Sequence, residues 1–173
     1  MSYPETLKRV FLSVGTNLGD RLYNLKKTIK LLQEVPITIE SISSIYESEP
    51  LYYESPNWFY NLVLKIKTAL SPYALFIELK KIEFQMGRKQ SPVMSDRPID
   101  LDIVFYEDLI LKSEVLQIPH PRALERAFVV VPACEIDPYF KDPISKKTLY
   151  EIYMHGEPFF KAQKLKALFR EMP

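Results

Sequence analysis

The chain has 173 residues, 47% of them hydrophobic and 26% charged, and a formal net charge of +1. This length fits one domain, and the near-neutral charge argues against a general polyanion-binding role, although not against a local basic pocket. The single cysteine, Cys134, excludes an internal disulfide, and within the apolar run FVVVPACEI it is expected to be a small buried hydrophobe rather than a nucleophile.

Membrane segments and export signals are not expected. No apolar stretch approaches the roughly 20 residues that a bilayer-spanning helix needs, and the N-terminal sequence lacks the long apolar core of a signal peptide. We therefore expect a cytoplasmic protein that does not contact membranes.

The N-terminal half alternates strand and helix patterns. RVFLSV (9–14) predicts a buried strand, and GTNLGDR follows it as a tight turn in which Asn17 or Asp20 caps a helix. The spacing of Gly15 and Gly19 does not fit a P-loop. The helix has an apolar stripe of Leu18, Leu22, Leu25, Ile29 and Leu32. ITIESISSIYESEP (37–50) and FYNLVLKIKT (59–68) predict the second and third strands.

The second half begins with a clear helix start, in which Ser71 is the N-cap and Pro72 the first helical residue, and Gly87 ends the helix. A polar loop then leads to a fourth strand inside SDRPIDLDIVFYE, and LILKSE (109–114) is expected to be its hairpin partner. A third helix follows within 118–136. The C-terminal PFFKAQKLKALFREMP predicts a helix with Leu165, Leu168, Phe169 and Met172 on one face.

This order of elements indicates the α+β fold class, with a ferredoxin-like βαββαβ core, an added β-hairpin and C-terminal helices. Internal repeats, low-complexity segments and interdomain linkers are not evident. We therefore expect one domain over residues 1–173.

Two aspartates in the fourth strand are the first candidate site. The alternation Ile99-Asp100-Leu101-Asp102-Ile103 places Asp100 and Asp102 on one face, about 6.5–7 Å apart at Cα. Taken alone, the pair is compatible with a strand that has one solvent-facing side. A magnesium site is the alternative, because Mg²⁺ is usually held by one or two carboxylates together with substrate phosphates.

Cationic and aromatic residues surround this strand in the sequence. Arg88, Arg97, Arg122 and Arg126 are cations of the kind that bind phosphate, and His120 lies in a rigid segment between two prolines. His155 is expected at the surface. Aromatic residues cluster at Tyr52, Tyr53, Trp58, Phe59 and Tyr60, next to Asn61, and a flat heteroaromatic ligand needs such stacking faces and one polar group.

Five segments, in this order, together resemble the 6-hydroxymethyl-7,8-dihydropterin pyrophosphokinase family: VGTNLGDR, YESEPLYYESPNWFYN, ELKKIEFQMGR, DRPIDLDIVFY and IPHPRALERAFVVVP. The resemblance implies transfer of the terminal pyrophosphoryl group of ATP to the pterin hydroxymethyl oxygen, with release of AMP, by in-line attack on the β-phosphorus. It also implies ATP as co-substrate and two Mg²⁺ ions. No covalent nucleophile on the protein is required.

The resemblance also implies roles for individual residues. Asp100 and Asp102 match the magnesium ligands, and Arg88 and Arg97 match the arginines at the two ends of a mobile loop. His120 and Arg126 match phosphate-contacting positions. Glu83 matches a carboxylate near the nucleotide, although an ordinary solvated helix residue is the alternative. The pterin would be bound by Ser48, Leu51, Phe59, Asn61 and Phe128.

The chain departs from the family at Ser95-Asp96, where small residues or a proline are usual, and Met94 lies near the position of a loop tryptophan found in some members. A ferredoxin-like RNA-binding module is disfavoured because its aromatic strand motif is missing from FYNLVLKIKT. A nucleotide-sugar transferase with a D-x-D motif does not fit the order of elements. We expect a monomer that binds small molecules and no nucleic acid.

Overall fold

A computed structural model describes residues 6–91 and 93–169. Its strands are β1 (Lys8–Thr16), β2 (Ile37–Ile42), β3 (Ile45–Ser48), β4 (Phe59–Thr68), β5 (Asp100–Tyr106), β6 (Leu111–Lys112), β7 (Gln117–Ile118) and β8 (Lys166–Phe169). Its helices are α1 (Arg21–Leu32), α2 (Pro72–Gln85), α3 (Ala127–Ile136) and α4 (Leu149–Lys161), and a 3₁₀ turn covers Ala123–Glu125. None of the described helices has the length and apolar content that a bilayer crossing requires.

One antiparallel sheet in the order β5-β1-β4-β3-β8 forms the centre of the molecule, and β2 also pairs with β4. Apolar residues of α1 and α2 pack on one face of the sheet, together with Val10, Leu12 and Val14 of β1. Residues of α3 and the start of α4 pack on the other face, against Phe11 and Phe105. The predicted βαββαβ core is confirmed.

The predicted helix caps are also present. Asp20 accepts a hydrogen bond from the backbone N–H of Tyr23, at 3.0 Å, and so caps α1. Ser71 accepts one from Ala74 and caps α2. Gly87 follows α2 with a φ of +88°, a conformation that glycine adopts without strain.

The predicted second strand is divided into β2 and β3. At the break, the Ser43 hydroxyl accepts a hydrogen bond from the Val63 N–H at 2.9 Å, and the Ser44 N–H donates to the Glu135 carboxylate at 2.6 Å. Side chains thus take over backbone partners that a continuous ladder would have used.

The predicted hairpin between LILKSE and the fourth strand is wrong. Residues Leu111–Lys112 pair with Gln117–Ile118 instead of with β5. The reason is a tight turn closed by Ser113, whose hydroxyl donates to the Leu116 carbonyl and accepts from the Leu116 N–H.

A C-terminal helix is present as α4, but the prediction that the helix continues through Leu165, Leu168 and Phe169 is wrong. Helix α4 ends at Lys161, and Lys166–Phe169 forms β8, which pairs with β3. Strand β8 covers backbone groups that β3 would otherwise expose at the edge of the sheet, and this long-range pairing outweighs the local helical pattern. Met172, assigned to the same helical face, lies outside the described residues.

Candidate active site

Asp100 and Asp102 lie on the polar face of β5 and alternate with the buried Leu101 and Ile103. In the register with β1, Asp100 is opposite Gly15 and Asp102 is opposite Ser13. Both carboxylates line a cleft whose other lining residues are Ser13, Val14, Gly15, Glu49, Leu51, Tyr52, Tyr53, Phe59, Asn61, Met94, Arg97, Arg126 and Phe128.

The two carboxylates repel each other in the absence of a cation. Burial and the neighbouring charge of Asp100 raise the pKa of Asp102 to about 7, against the opposing charges of Lys80 and Arg126. Among the described residues, no group of three or more His, Cys, Asp or Glu side chains is arranged to hold a metal ion. The two carboxylates could hold Mg²⁺ only together with other ligands, such as substrate phosphates and water.

Arg88 and Glu83 form a charged chain beside the pair. The Arg88 guanidinium donates to Asp100 at 2.9 Å and to Glu83, and Lys80 donates to the other Glu83 oxygen at 2.6 Å. The Glu83 side chain is only 4% exposed. It is therefore a buried carboxylate that orients Arg88, and not a solvated helix residue.

Arg97 lies on the other side of Asp100. Its Nη1 is 3.9 Å from Asp100 Oδ2, and its Cζ lies 5.5 Å from the centre of the Phe59 ring. The Arg97 Nε is buried and has no hydrogen-bond partner in the described part of the chain. A buried guanidinium with an unused N–H is suited to bind an anion.

His120 lines a neighbouring groove together with Lys80 and Asp102. Its backbone N–H donates to Val104 of β5 at 3.0 Å, and its Nδ1 accepts from the Arg122 N–H at 3.3 Å. Burial and the nearby Arg126 and Arg122 charges lower the pKa of His120 to about 4, although Asp100 opposes them. The imidazole is therefore neutral at physiological pH.

Arg126 connects this groove to the aromatic cleft. Its Cζ lies 5.6 Å from the ring centre of Phe128 and 5.1 Å from that of Tyr52. The Arg122 guanidinium also lies over Tyr52, at 4.9 Å. Tyr52 thus holds two cations near the mouth of the cleft.

Asn61 is positioned by its neighbours. Its amide nitrogen donates to the Ser48 hydroxyl at 2.8 Å and to the Tyr46 carbonyl at 3.3 Å, and Asn61 and Ser48 are both 3% exposed. A Cβ at Gly15 would lie 3.2 Å from Asn61 Oδ1 and 3.5 Å from the Phe59 ring, so glycine leaves space beside both.

The structure thus gathers most of the sequence-predicted residues into one cleft: Leu51, Phe59, Asn61, Arg97, Asp100, Asp102, Arg126 and Phe128. Ser48 lies behind Asn61 and supports it. Glu83 and Arg88 line one adjoining groove and His120 another. Sequence reasoning missed Lys80, which borders both grooves. Its position three residues before Glu83 on α2 was a usable signal.

Two further expectations concern residues outside the cleft. Cys134 is partly buried, it packs against the apolar cluster under α3, and burial raises the pKa of its thiol. It therefore has the character of a small hydrophobe, as predicted. His155 is exposed on α4, also as predicted.

Comparison with known proteins agrees with this geometry. Residues 11–138 match the family model described as 7,8-dihydro-6-hydroxymethylpterin-pyrophosphokinase. A 2-amino-4-hydroxy-6-hydroxymethyldihydropteridine pyrophosphokinase from Aquifex aeolicus is 41% identical over 82% of this chain and 88% of its own length. The Bacillus subtilis protein of the same name is 38% identical over 73% of this chain and 76% of its own length.

Longer proteins match as well. The folic acid synthesis protein FOL1 of Dictyostelium discoideum is 42% identical over 78% of this chain, but the match covers only 20% of that protein. A crystal structure of Plasmodium falciparum HPPK-DHPS with pteroate matches 92% of this chain and 46% of that chain, with a TM-score of 0.73 and 17% identity, and supports the fold. Given the matched segment and these relatives, the chain belongs to the 7,8-dihydro-6-hydroxymethylpterin-pyrophosphokinase family of ATP-dependent enzymes.

Proposed function

We propose that this chain transfers the terminal pyrophosphoryl group of ATP to the hydroxymethyl oxygen of 6-hydroxymethyl-7,8-dihydropterin, with Asp100 and Asp102 as the magnesium ligands. One observation carries the proposal. Asp100 and Asp102 both line the aromatic cleft, and Asp102 also lines the groove that contains Lys80 and His120. A pterin in the first and a triphosphate in the second would meet at the carboxylates.

The aromatic cleft is suited to a flat, polar heterocycle. Phe59 and Phe128 supply ring faces, and Asn61 supplies an amide that reads the ring edge. Ser48 holds that amide in one orientation, so the recognition geometry exists before the ligand binds. Leu51 completes the apolar wall.

Arginines and His120 would bind the phosphates. Arg97 offers its buried Nε–H, while Arg88 and Arg126 add charge on either side of the aspartates. Neutral His120 can donate one hydrogen bond without adding charge. Glu83 keeps Arg88 oriented.

Two Mg²⁺ ions bound by Asp100 and Asp102 would neutralise phosphate charge and make the pterin hydroxyl easier to deprotonate. The protein residues then orient the hydroxyl oxygen in line with the β-phosphorus. The hydroxyl proton passes to solvent as the new O–P bond forms, the bond from the β-phosphorus to the oxygen shared with the α-phosphate breaks, and AMP leaves. Positioning and charge stabilisation are sufficient, so no covalent protein nucleophile takes part.

An RNA-binding role is not favoured. In the described residues, helices pack on both faces of the sheet, whereas a ferredoxin-like RNA-binding module presents an open sheet face to bases. We also infer one domain that works as a monomer. In support of one domain, β8 joins the same sheet as the family core. Light scattering after size exclusion tests the monomer.

The activity is tested by mixing the protein with ATP, Mg²⁺ and the reduced pterin alcohol, followed by phosphorus NMR. AMP that forms in step with a pterin diphosphate is the expected result. Formation of ADP, or no turnover, would overturn the proposal.

A further inference from the structure

Asp96 accepts hydrogen bonds from two other parts of the chain. Its Oδ1 accepts from Asn17 Nδ2 at 2.9 Å and from the Tyr53 hydroxyl at 3.1 Å. Its Oδ2 accepts from Asn57 Nδ2 at 2.6 Å. Asn17 belongs to the turn after β1, and Tyr53 and Asn57 belong to the β3–β4 loop. One carboxylate therefore joins three segments that are distant in sequence.

These contacts favour the ionised form of Asp96. Partial burial raises the pKa of Asp96, but the hydrogen bonds from Asn57, Tyr53 and Asn17 outweigh it and hold the pKa below its usual value. Charge-assisted hydrogen bonds are stronger than neutral ones, so this carboxylate is an effective tie between the segments.

Asn17 extends the connection to the backbone of Arg97. The Asn17 Oδ1 accepts a hydrogen bond from the Arg97 backbone N–H at 2.8 Å, and the Asn17 backbone N–H donates one to the Arg97 carbonyl at 3.2 Å. Asn17 is 3% exposed, and its Nδ2 also contacts the Tyr53 hydroxyl at 2.8 Å and the Asn57 carbonyl at 3.1 Å. Asp96 and Asn17 together fix the C-terminal end of segment 93–97, just before β5.

Segment 93–97 forms part of the wall of the aromatic cleft. Arg97 lies over the Phe59 ring at 5.5 Å, and Tyr53 lines the cleft with Met94. If segment 93–97 were free, the position of Arg97 over Phe59 would have to be established again with each binding event, at a cost in conformational entropy.

We propose that Asp96 is a positioning residue for the pterin, whose carboxylate holds segment 93–97 against the β1–α1 turn and the β3–β4 loop before the substrates bind. This inference rests on the proposed function, since it assigns the cleft to the pterin.

Asn57 makes a reciprocal test possible. Asp96→Asn leaves at most a neutral hydrogen bond to Asn57, whose amide must turn to present its Oδ1, and Asn57→Asp alone places two carboxylates together. The double variant Asp96→Asn/Asn57→Asp restores a donor–acceptor pair with the same net charge, while the amide oxygen at position 96 can still accept from Asn17 and Tyr53. Asp96→Ala removes all three bonds.

The measurements are pterin affinity by calorimetry with a non-hydrolysable ATP analogue and Mg²⁺, KM and kcat for both substrates, and thermal unfolding. We expect Asp96→Ala and Asn57→Asp to weaken pterin binding at least about tenfold, because each loses at least one charge-assisted bond, and Asp96→Asn to weaken it less. The KM for ATP should change less than about threefold. The double variant should recover to within about threefold of wild type.

Three outcomes would overturn the proposal: equal pterin affinity in wild type and Asp96→Ala, parallel loss of pterin and ATP affinity with a lowered unfolding temperature, or a folded double variant without recovery. If Asp96→Ala does not fold, the exchange series decides alone. A wild-type protein without pyrophosphokinase turnover would instead count against the proposed function, since the Asp96 contacts can still be tested by pterin binding.

Discussion

The Arg88 guanidinium lies 2.9 Å from Asp100 Oδ1 and also binds Glu83, so the segment after α2 is tied to the first residue of β5. Helix α2 and strand β5 supply different components of the candidate site. This link sets the distance between the carboxylate that we assign to magnesium and an arginine that we assign to phosphate.

Neutralising either aspartate should abolish most of the activity. We expect Asp100→Asn and Asp102→Asn each to lower kcat about 100-fold or more at saturating Mg²⁺, because the remaining carboxylate binds cations poorly. The free energy of unfolding should not fall for Asp102→Asn, since this change relieves the repulsion within the pair. Asp100→Asn also removes the ion pair with Arg88, so we expect a small loss of stability there. Steady-state kinetics and urea unfolding check both parts. Asp108→Asn, at an exposed position after β5, is the matched control. Near-normal turnover in either variant would contradict the metal assignment.

Glu83→Gln should act through Arg88. The change removes the charged partner of a partly buried guanidinium, and we expect the KM for ATP to rise about tenfold while the KM for the pterin changes little. Glu78→Gln is the control, because Glu78 lies on the same helix and pairs with Lys81 at 3.4 Å in a more exposed position. Equal effects of the two changes on the KM for ATP would refute the role of Glu83.

His120 should make stability depend on pH. Its pKa is about 4 in the folded protein and near 6.5 in an unfolded chain, so the unfolded state takes up the proton first as pH falls. The stability that the neutral His120 contributes is therefore fully present above about pH 6.5, and it is lost progressively as the pH falls to about 4. Between pH 7 and 4, the free energy of unfolding of the wild type should fall by on the order of 2 kcal/mol more than that of His120→Gln. This figure allows for solvent screening of the partly exposed imidazole.

Denaturant unfolding at a series of pH values measures this difference. His155→Gln controls for the loss of an exposed histidine. If the free energies of unfolding of wild type and His120→Gln depended on pH in the same way, His120 would not contribute to the pH dependence of stability.

Gln163 should support the site from the C-terminal segment, beyond the matched residues 11–138. Its Oε1 accepts from the Ala127 N–H at 2.8 Å and its Nε2 donates to the Glu125 carbonyl at 2.7 Å. Arg126, the N-cap of α3, makes no side-chain capping bond, so Gln163 supplies a cap from a distance.

Gln163→Ala is expected to lower the free energy of unfolding by about 1–2 kcal/mol and to raise the KM for the pterin, because Phe128 lies in the first turn of α3. Chemical unfolding and steady-state kinetics are the measurements. Gln85→Ala, at the exposed end of α2, is the control. An unchanged stability would contradict the capping role.

Local patterns in the sequence determined much of the molecule. The alternation in β5 placed Asp100 and Asp102 on one face, and Ser71, Pro72 and Gly87 marked the ends of α2. These predictions were correct because strand periodicity, capping and glycine conformation depend on a few neighbouring residues. Ordered motifs were also sufficient to indicate the family.

Tertiary structure alone decided the features that depend on distant partners. Strand β8 exists because β3 offers an edge, although the local pattern of 165–169 favours a helix. Glu83 is buried because Arg88 and Lys80 compensate its charge. Asp96 meets Asn17 across 79 positions of the chain. Its chemistry was visible in the sequence, but its partners were not, since loop conformation depends on contacts that no local propensity encodes.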